Sequence, residues 1–199
     1  MIQIKNLSKS DPYIIFEKLY KDAVSKDQKH VEAICISSYD EILNIPDSRY
    51  VNLKYIIGEN WTFFSNYNSP KSTQFDSNDN ISAILFWNSI NVQIRMKAKI
   101  HKSDEDFSDQ HFSNRNPRKN ALAISSAQSQ SIESYEKIIE NYEKTIKNKN
   151  LISNRPDYWG GYTFKPYYFE FWQGHEHRIN KRDIFFKKDN HWKQEILQP

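Results

Sequence analysis

Glycine is scarce in this chain, with four in 199 residues, at Gly58, Gly160, Gly161 and Gly174. No G-x-G-x-x-G fingerprint and no P-loop can be assembled from them, so any bound phosphate must be gripped by side chains and not by a glycine-rich loop of amides. Cysteine is scarcer still. Cys35 stands alone, which leaves no internal disulfide and no cysteine-rich zinc or iron–sulfur site, and suits a reducing cytoplasm. Long apolar runs are also missing. The mean hydropathy is -0.84, no segment reads as a membrane span, and the opening MIQIKNLSKSDP has no secretory core. A strong charge of one sign is absent too: a net charge of +3 is too mild to argue for nucleic acid.

What remains is a globular balance, 38% hydrophobic and 27% charged, with no internal repeat, low-complexity tract or linker. A chain of this length buries roughly 70% of its unfolded surface as one domain. Residues 1–199 are therefore read as a single domain, with 1–10 as a flexible arm. Asp11-Pro12 opens an amphipathic helix to about Lys26, with Asp11 as its N-cap. Strand-like runs follow at 31–37, 49–57 and 61–65, then a short helix at 72–77 and strands at 81–87 and 92–100. In the last of these, Gln93, Arg95, Lys97 and Lys99 alternate with Ile94, Met96, Ala98 and Ile100, a period of 2 with one apolar and one basic face. Residues 103–148 read as helical, and strands resume at 162–172, 178–188 and 191–197. Strands at both ends with hairpin spacings favour an antiparallel sheet or small barrel with flanking helices, an α+β arrangement that is mainly β.

Several segments carry groups suited to chemistry. Arg49-Tyr-Val-Asn-Leu-Lys54 places cations at both ends of a buried-looking strand, which is either an anion site or a pair of strand-end residues reaching for water. Ser65-Asn-Tyr-Asn-Ser69-Pro-Lys71 offers hydroxyls and a lysine at a helix start, as a phosphate cradle or as a solvated turn. His175-Glu-His177 puts two imidazoles on one side of a strand without a third ligand, so no metal site is expected. Gln128-Ser129-Gln130-Ser131 suits hydrogen bonding to a ligand ring or a helix cap. Residues 133–149 read as a solvated helix face. The aromatics of 158–172 read mostly as core, although a flat ring would also suit them.

Trp159-Gly-Gly-Tyr162 and Phe169-Glu-Phe-Trp-Gln-Gly-His-Glu-His-Arg178 resemble the C-terminal signature of the pyridoxamine 5'-phosphate oxidase family. The resemblance runs back in family order through Gln128-Ser129, Gln93, the 65–71 turn and 49–54 to Asp11-Pro12. It implies an FMN-binding split β-barrel of antiparallel strands and a homodimer with one FMN in each of two interface clefts. On that pattern Arg49, Ser65 and Lys71 hold the FMN phosphate and ribityl chain. Val51, Asn52, Lys54 and Phe64 lie along the flavin, and Gln93, Gln128, Ser129, Trp172 and Arg182 complete its site. Lys54, Arg115, His111 and Lys119 fall at substrate-phosphate positions, Arg178 lies over the substrate ring, and Asn180 stands at the second catalytic position.

The implied activity is oxidation of pyridoxamine or pyridoxine 5'-phosphate to pyridoxal 5'-phosphate, with O2 as acceptor and hydrogen peroxide as product. Departures cluster on the substrate side. Pro70 replaces an arginine in the flavin turn, His111 and Lys119 replace a tyrosine and a serine, and Asn180 replaces a histidine. Asparagine can neither carry a proton nor take a positive charge. The alternative expectation is thus a related FMN flavoprotein with another substrate or without B6 oxidase activity. A cofactor-free basic RNA-binding or scaffolding domain is the reading from a different class.

Overall fold

Alternation of apolar and basic residues makes Val92–Lys102 the central strand: Val92, Ile94, Met96, Ala98 and Ile100 are buried, while Lys97 and Lys99 are exposed. The computed structural model describes residues 1–199. In chain order its elements are β1 (Gln3–Lys5), α1 (Asp11–Ser25), β2 (Ala33–Asp40), β3 (Ile45–Asn52), β4 (Tyr55–Ile57), β5 (Asn60–Asn66), α2 (Pro70–Ser77), β6 (Asn80–Trp87) and β7 (Val92–Lys102). There follow α3 (Glu105–Ser113), α4 (Pro117–Ser125), α5 (Tyr135–Ile146), α6 (Lys149–Ser153), β8 (Trp159–Gln173), β9 (Lys181–Lys188) and β10 (His191–Ile196).

The strands form one sheet in the order β1-β4-β5-β8-β7-β6-β2-β3, with β9 beside β8 and β10 beside β9. β8 explains the shape. One of its edges pairs with β7 along nearly its whole length, whereas the other pairs with β5 over Trp159–Phe164 and with β9 over Tyr168–Gln173. The sheet therefore divides at the middle of β8, where the register with β7 also shifts between Lys97 and Ala98. It curls until β3 approaches β5 but does not close, because β1 and β3 remain its edges. This is the expected sheet-dominated split barrel with flanking helices.

Aromatic residues fill the curl. Phe16 of α1 meets Trp61 with ring centroids 4.5 Å apart, and Tyr13 meets Phe169 at 5.2 Å, all four rings being buried. Each such side chain contributes about 1.5–3 kcal/mol on burial.

Several boundaries differ from the sequence reading. The opening segment is docked and not a free arm: β1 pairs with β4, Ile2 is buried, and its amide donates to the Tyr20 hydroxyl at 3.0 Å. That pairing is parallel, the one exception to an otherwise antiparallel sheet. Ser10, not Asp11, is the N-cap of α1, and Asp11 begins the helix. The run 49–57 is two strands, since the chain leaves β2 and crosses to β5 at Leu53-Lys54, whose amides donate to Glu32 and Thr62. The helical centre is broken at 126–134, and Arg178-Ile179-Asn180 precedes β9. His175 and His177 lie in the β8–β9 turn, not on a strand. No helix is long and apolar enough to cross a membrane.

Candidate functional site

Where β3 faces β5, the space between them is walled by α2, α3 and the loop after α4, leaving a cleft of about 540 Å³. Arg49, Val51, Asn52 and Lys54 line it from β3 and the residues after it, and Phe64 and Ser65 from β5. Lys71 enters from the first turn of α2, His111 from α3, Arg115 from just before α4, and Gln128 and Ser129 from the following loop. All of these were anticipated. Asp47, Tyr50, Pro70 and Trp159 also line the cleft and were not assigned to it. Asp47 is the sole carboxylate, set against the cations of Arg49, Lys54, Lys71 and Arg115.

These cations are held in different ways. Arg49 pairs with Asp47 and donates to Ser38 Oγ at 2.6 Å, Ile36 O at 3.3 Å and Gln74 Oε1 at 2.9 Å, which leaves only its Nε–H without a partner in the chain. Gln74 is buried in α2, so Arg49 ties β2, β3 and α2 together behind the cleft. Lys71 is the opposite case. It is 7% exposed, and its ammonium donates to a single neighbour, Ser69 Oγ, at 2.9 Å. Burial, reinforced by the charge of Arg49, lowers its pKa to about 8 despite the carboxylate of Asp47. A buried cation so poorly compensated is a demand for an anion.

On the far wall, the His111 ring stacks on Phe64, with centroids 3.7 Å apart and planes within 9°, and its Nδ1 lies 2.8 Å from the Tyr55 hydroxyl. Burial, followed by the charges of Arg115 and Lys54, pushes its pKa down to about 4, so the imidazole is neutral near pH 7. Arg115 sits over the Trp159 ring at 4.8 Å and donates to the Lys119 carbonyl at 2.7 Å. Lys54 is likewise held below the ordinary lysine range by burial, with the charges of Lys119 and Arg115 adding to the effect. Lys119 itself is exposed and does not line the cleft. Opposite, Gln128 Oε1 accepts from Ser65 Oγ at 3.1 Å and from the Asn66 amide at 3.2 Å, while Ser129 holds a left-handed φ of 70°.

A second set of anticipated residues is brought together elsewhere. Gln93, Trp172 and Arg182 are successive partners across β7, β8 and β9, so their side chains share one face of the sheet. Glu170, two positions from Trp172, is 2% exposed and accepts from Arg95 at 3.0 Å and from Arg182 Nε at 2.9 Å. Arg178 is exposed in the adjoining turn with φ of 62°. None of these residues, nor Asn180, lines the cleft of their own chain.

The description of the family model that matches residues 159–199 is "Pyridoxine 5'-phosphate oxidase C-terminal dimerisation region". A pyridoxine/pyridoxamine 5'-phosphate oxidase of Christiangramia forsetii is 37% identical over 192 residues, covering 95% of this chain and 89% of the relative. One from Leptospira interrogans is 32% identical over 195 residues, covering 96% and 89%. The chain belongs to the pyridoxine/pyridoxamine 5'-phosphate oxidase family. The fold agrees. PhzG from Burkholderia lata 383, solved with tetrahydrophenazine-1-carboxylic acid, superposes with a TM-score of 0.89 at 20% identity, covering 96% of this chain and 93% of that one. A pyridoxamine 5'-phosphate oxidase-related, FMN-binding protein from Nostoc punctiforme superposes at 0.76 and 11% identity, covering 96% and 99%.

The positions at which this chain departs from the oxidase family pattern have structural consequences of their own. Pro70 begins α2, where its missing N–H costs nothing, and leaves Lys71 as the only cation of that turn. Asn180 Oδ1 accepts from the His175 amide at 3.1 Å, so its side chain closes the β8–β9 turn. Of the residues not foreseen, Trp159 carried the strongest signal, since it opens the aromatic signature. Asp47 and Gln74 carried none, because their part in the cleft arises from contacts between distant segments.

Proposed function

We propose that this chain is an FMN-dependent oxidase that converts pyridoxamine or pyridoxine 5'-phosphate to pyridoxal 5'-phosphate, with O2 as acceptor and hydrogen peroxide as product. We further propose that it acts as a cytoplasmic homodimer. The observation that carries the reading is the buried Lys71 ammonium with no carboxylate of its own, in a cleft with more cations than acids. The donor set fits FMN: Lys71, Ser65 and the remaining Nε–H of Arg49 suit a phosphate and ribityl chain. The extended residues 51–54, with Phe64, Gln128 and Ser129, suit the edge and face of a flat heteroaromatic ring. Bound there, FMN would accept a hydride from the C4' carbon of the substrate and return the electrons to O2.

The chain's own residues would bind and orient. Lys54 and Arg115 present charge to the substrate phosphate, with Lys119 adding to the local field. His111, neutral and fixed by Phe64 and Tyr55, offers a hydrogen bond and not a charge. Arg178, Trp172, Arg182 and Gln93 would come from the second subunit, which accounts for their absence from the cleft of their own chain. For the amine substrate the balance is pyridoxamine phosphate, O2 and water giving pyridoxal phosphate, ammonia and hydrogen peroxide.

The test is reconstitution with FMN, followed by assay of pyridoxal phosphate and peroxide from each phosphate ester. Turnover of either supports the proposal; flavin binding without turnover of either ester overturns it. The engagement of Asn180 in closing a turn favours one second reading, a related FMN flavoprotein acting on another substrate. Under that reading Asn180→His gains no oxidase turnover.

A further inference from the structure

Tyr55 lies on β4 and does not line the cleft. Its ring packs edge-on against Phe64, Phe107 and His111, with centroids 6.1, 5.2 and 5.4 Å away. Its hydroxyl has one partner in the chain, His111 Nδ1 at 2.8 Å. A neutral imidazole carries one proton, and the hydrogen bond made by one ring nitrogen decides what the other presents. Of the two groups the phenol is the acid and the imidazole nitrogen the base, so the hydroxyl is the natural donor. Burial raises the Tyr55 pKa, which keeps that proton in place. The imidazole proton then sits on Nε2. That atom has no partner in the chain and stays accessible, on a ring that lines the cleft. The charges acting on the ring are those of Arg115 and Lys54, both positive. Alone they favour the opposite tautomer, whose Nε2 lone pair would face them. Stacking on Phe64 fixes the plane of the ring, so the hydroxyl of Tyr55 is left to oppose that preference.

We propose that Tyr55 is a positioning residue: by donating to His111 Nδ1 it holds the imidazole as the Nε2–H tautomer, so that His111 presents a neutral donor to an anion lying between Lys54 and Arg115. Lys54, Arg115 and His111 then all donate, which suits a fully ionised phosphate monoester with no proton of its own to place. Without the hydroxyl, part of the binding free energy of such an anion is spent on moving the imidazole proton from Nδ1 to Nε2. The proposal deepens the reading of this end of the cleft as a phosphate site, and rests on it.

The test is nitrogen NMR of the full chain with isotope-labelled histidines, with FMN present to fill the Lys71 end of the cleft. Wild type is compared with Tyr55→Phe, which keeps the packed ring and loses only the hydroxyl; His111→Gln identifies the His111 signals by their disappearance. Wild-type His111 is expected as the Nε2–H tautomer, and Tyr55→Phe should populate the Nδ1–H form. Titration with inorganic phosphate should move the wild-type Nε2 resonance to saturation. Tyr55→Phe should weaken that response by about two- to tenfold, the range for one hydrogen bond. A wild-type proton on Nδ1, or a tautomer that Tyr55→Phe leaves unchanged, would overturn the proposal. So would a wild-type resonance that ignores phosphate, or equal phosphate affinity in the two proteins. None of these readouts depends on turnover, so a chain that passes them without oxidising either ester loses the oxidase reading and keeps this one.

Discussion

Lys71 shows how one side chain turns a groove into an anion site. Arg49 is the more obvious cation, but its donors are nearly all engaged within the chain, so it shapes the cleft more than it offers charge. The Lys71 ammonium has only Ser69. Its pKa near 8 fixes the sign of two effects. Between about pH 8 and the ordinary lysine value near 10.4, the folded free chain loses this proton while the unfolded chain keeps it. Stability therefore rises with pH across that window, and below it folding bears the cost of a desolvated ammonium. Anion binding runs the other way, because it favours the charged form. A phosphate monoester is already a dianion there, its second pKa being about 6. FMN affinity should accordingly fall as pH rises past about 8, with a slope approaching tenfold per pH unit. Lys71→Arg, which stays charged, should flatten that slope. Fluorescence titration of FMN from pH 7 to 10 checks both, and an unchanged slope in the arginine variant would place the phosphate elsewhere.

At the scale of elements, β8 joins the two halves of the molecule, and Glu170 anchors its second half. This carboxylate is nearly inaccessible and holds Arg95 of β7 and Arg182 of β9 at once. Glu170→Gln keeps the shape but leaves two guanidinium groups facing a neutral amide. We expect a loss of about 2–3 kcal/mol, below the roughly 3–5 kcal/mol for breaking a fully buried pair, because Arg95 and Arg182 are partly solvated. Urea unfolding measures it, and a loss below about 0.5 kcal/mol would mean that the arginines simply return to water. Elements like β7 were legible in the sequence because one strand with one buried face writes a period of 2 into its residues. The interruption at Leu53-Lys54 was not, since the chain there changes neighbours without changing composition. The docking of β1 was hidden for a related reason: a three-residue strand carries too little pattern, and its stability comes from β4 and Tyr20. Within the cleft, residues inside recognisable motifs such as Ser65, Gln128 and Ser129 were readable. Asp47 and Gln74 owe their place to the curl that brings β3 against α2, and a linear pattern does not encode a curl.

The anticipated site is divided across the whole molecule. Lys54, Ser65, Lys71, Arg115 and Gln128 lie on the cleft, while Gln93, Trp172, Arg178 and Arg182 lie along the far half of β8 and its neighbours. That far half falls within residues 159–199, the stretch matching the family's dimerisation region. If two chains pair so that the far half of one completes the cleft of the other, each site takes its parts from both. This arrangement can be tested without a structure of the dimer. Lys71→Ala damages the cleft part and Arg182→Ala the far part, so each variant alone should bind FMN poorly. In a mixed dimer one site receives both damaged parts and the other receives both intact ones. Refolding the two variants together in equal amounts should restore about a quarter of the wild-type flavin per chain, since half of the dimers are mixed and each of those has one intact site. A site built within a single chain would recover nothing, because every chain in the mixture still carries a lesion.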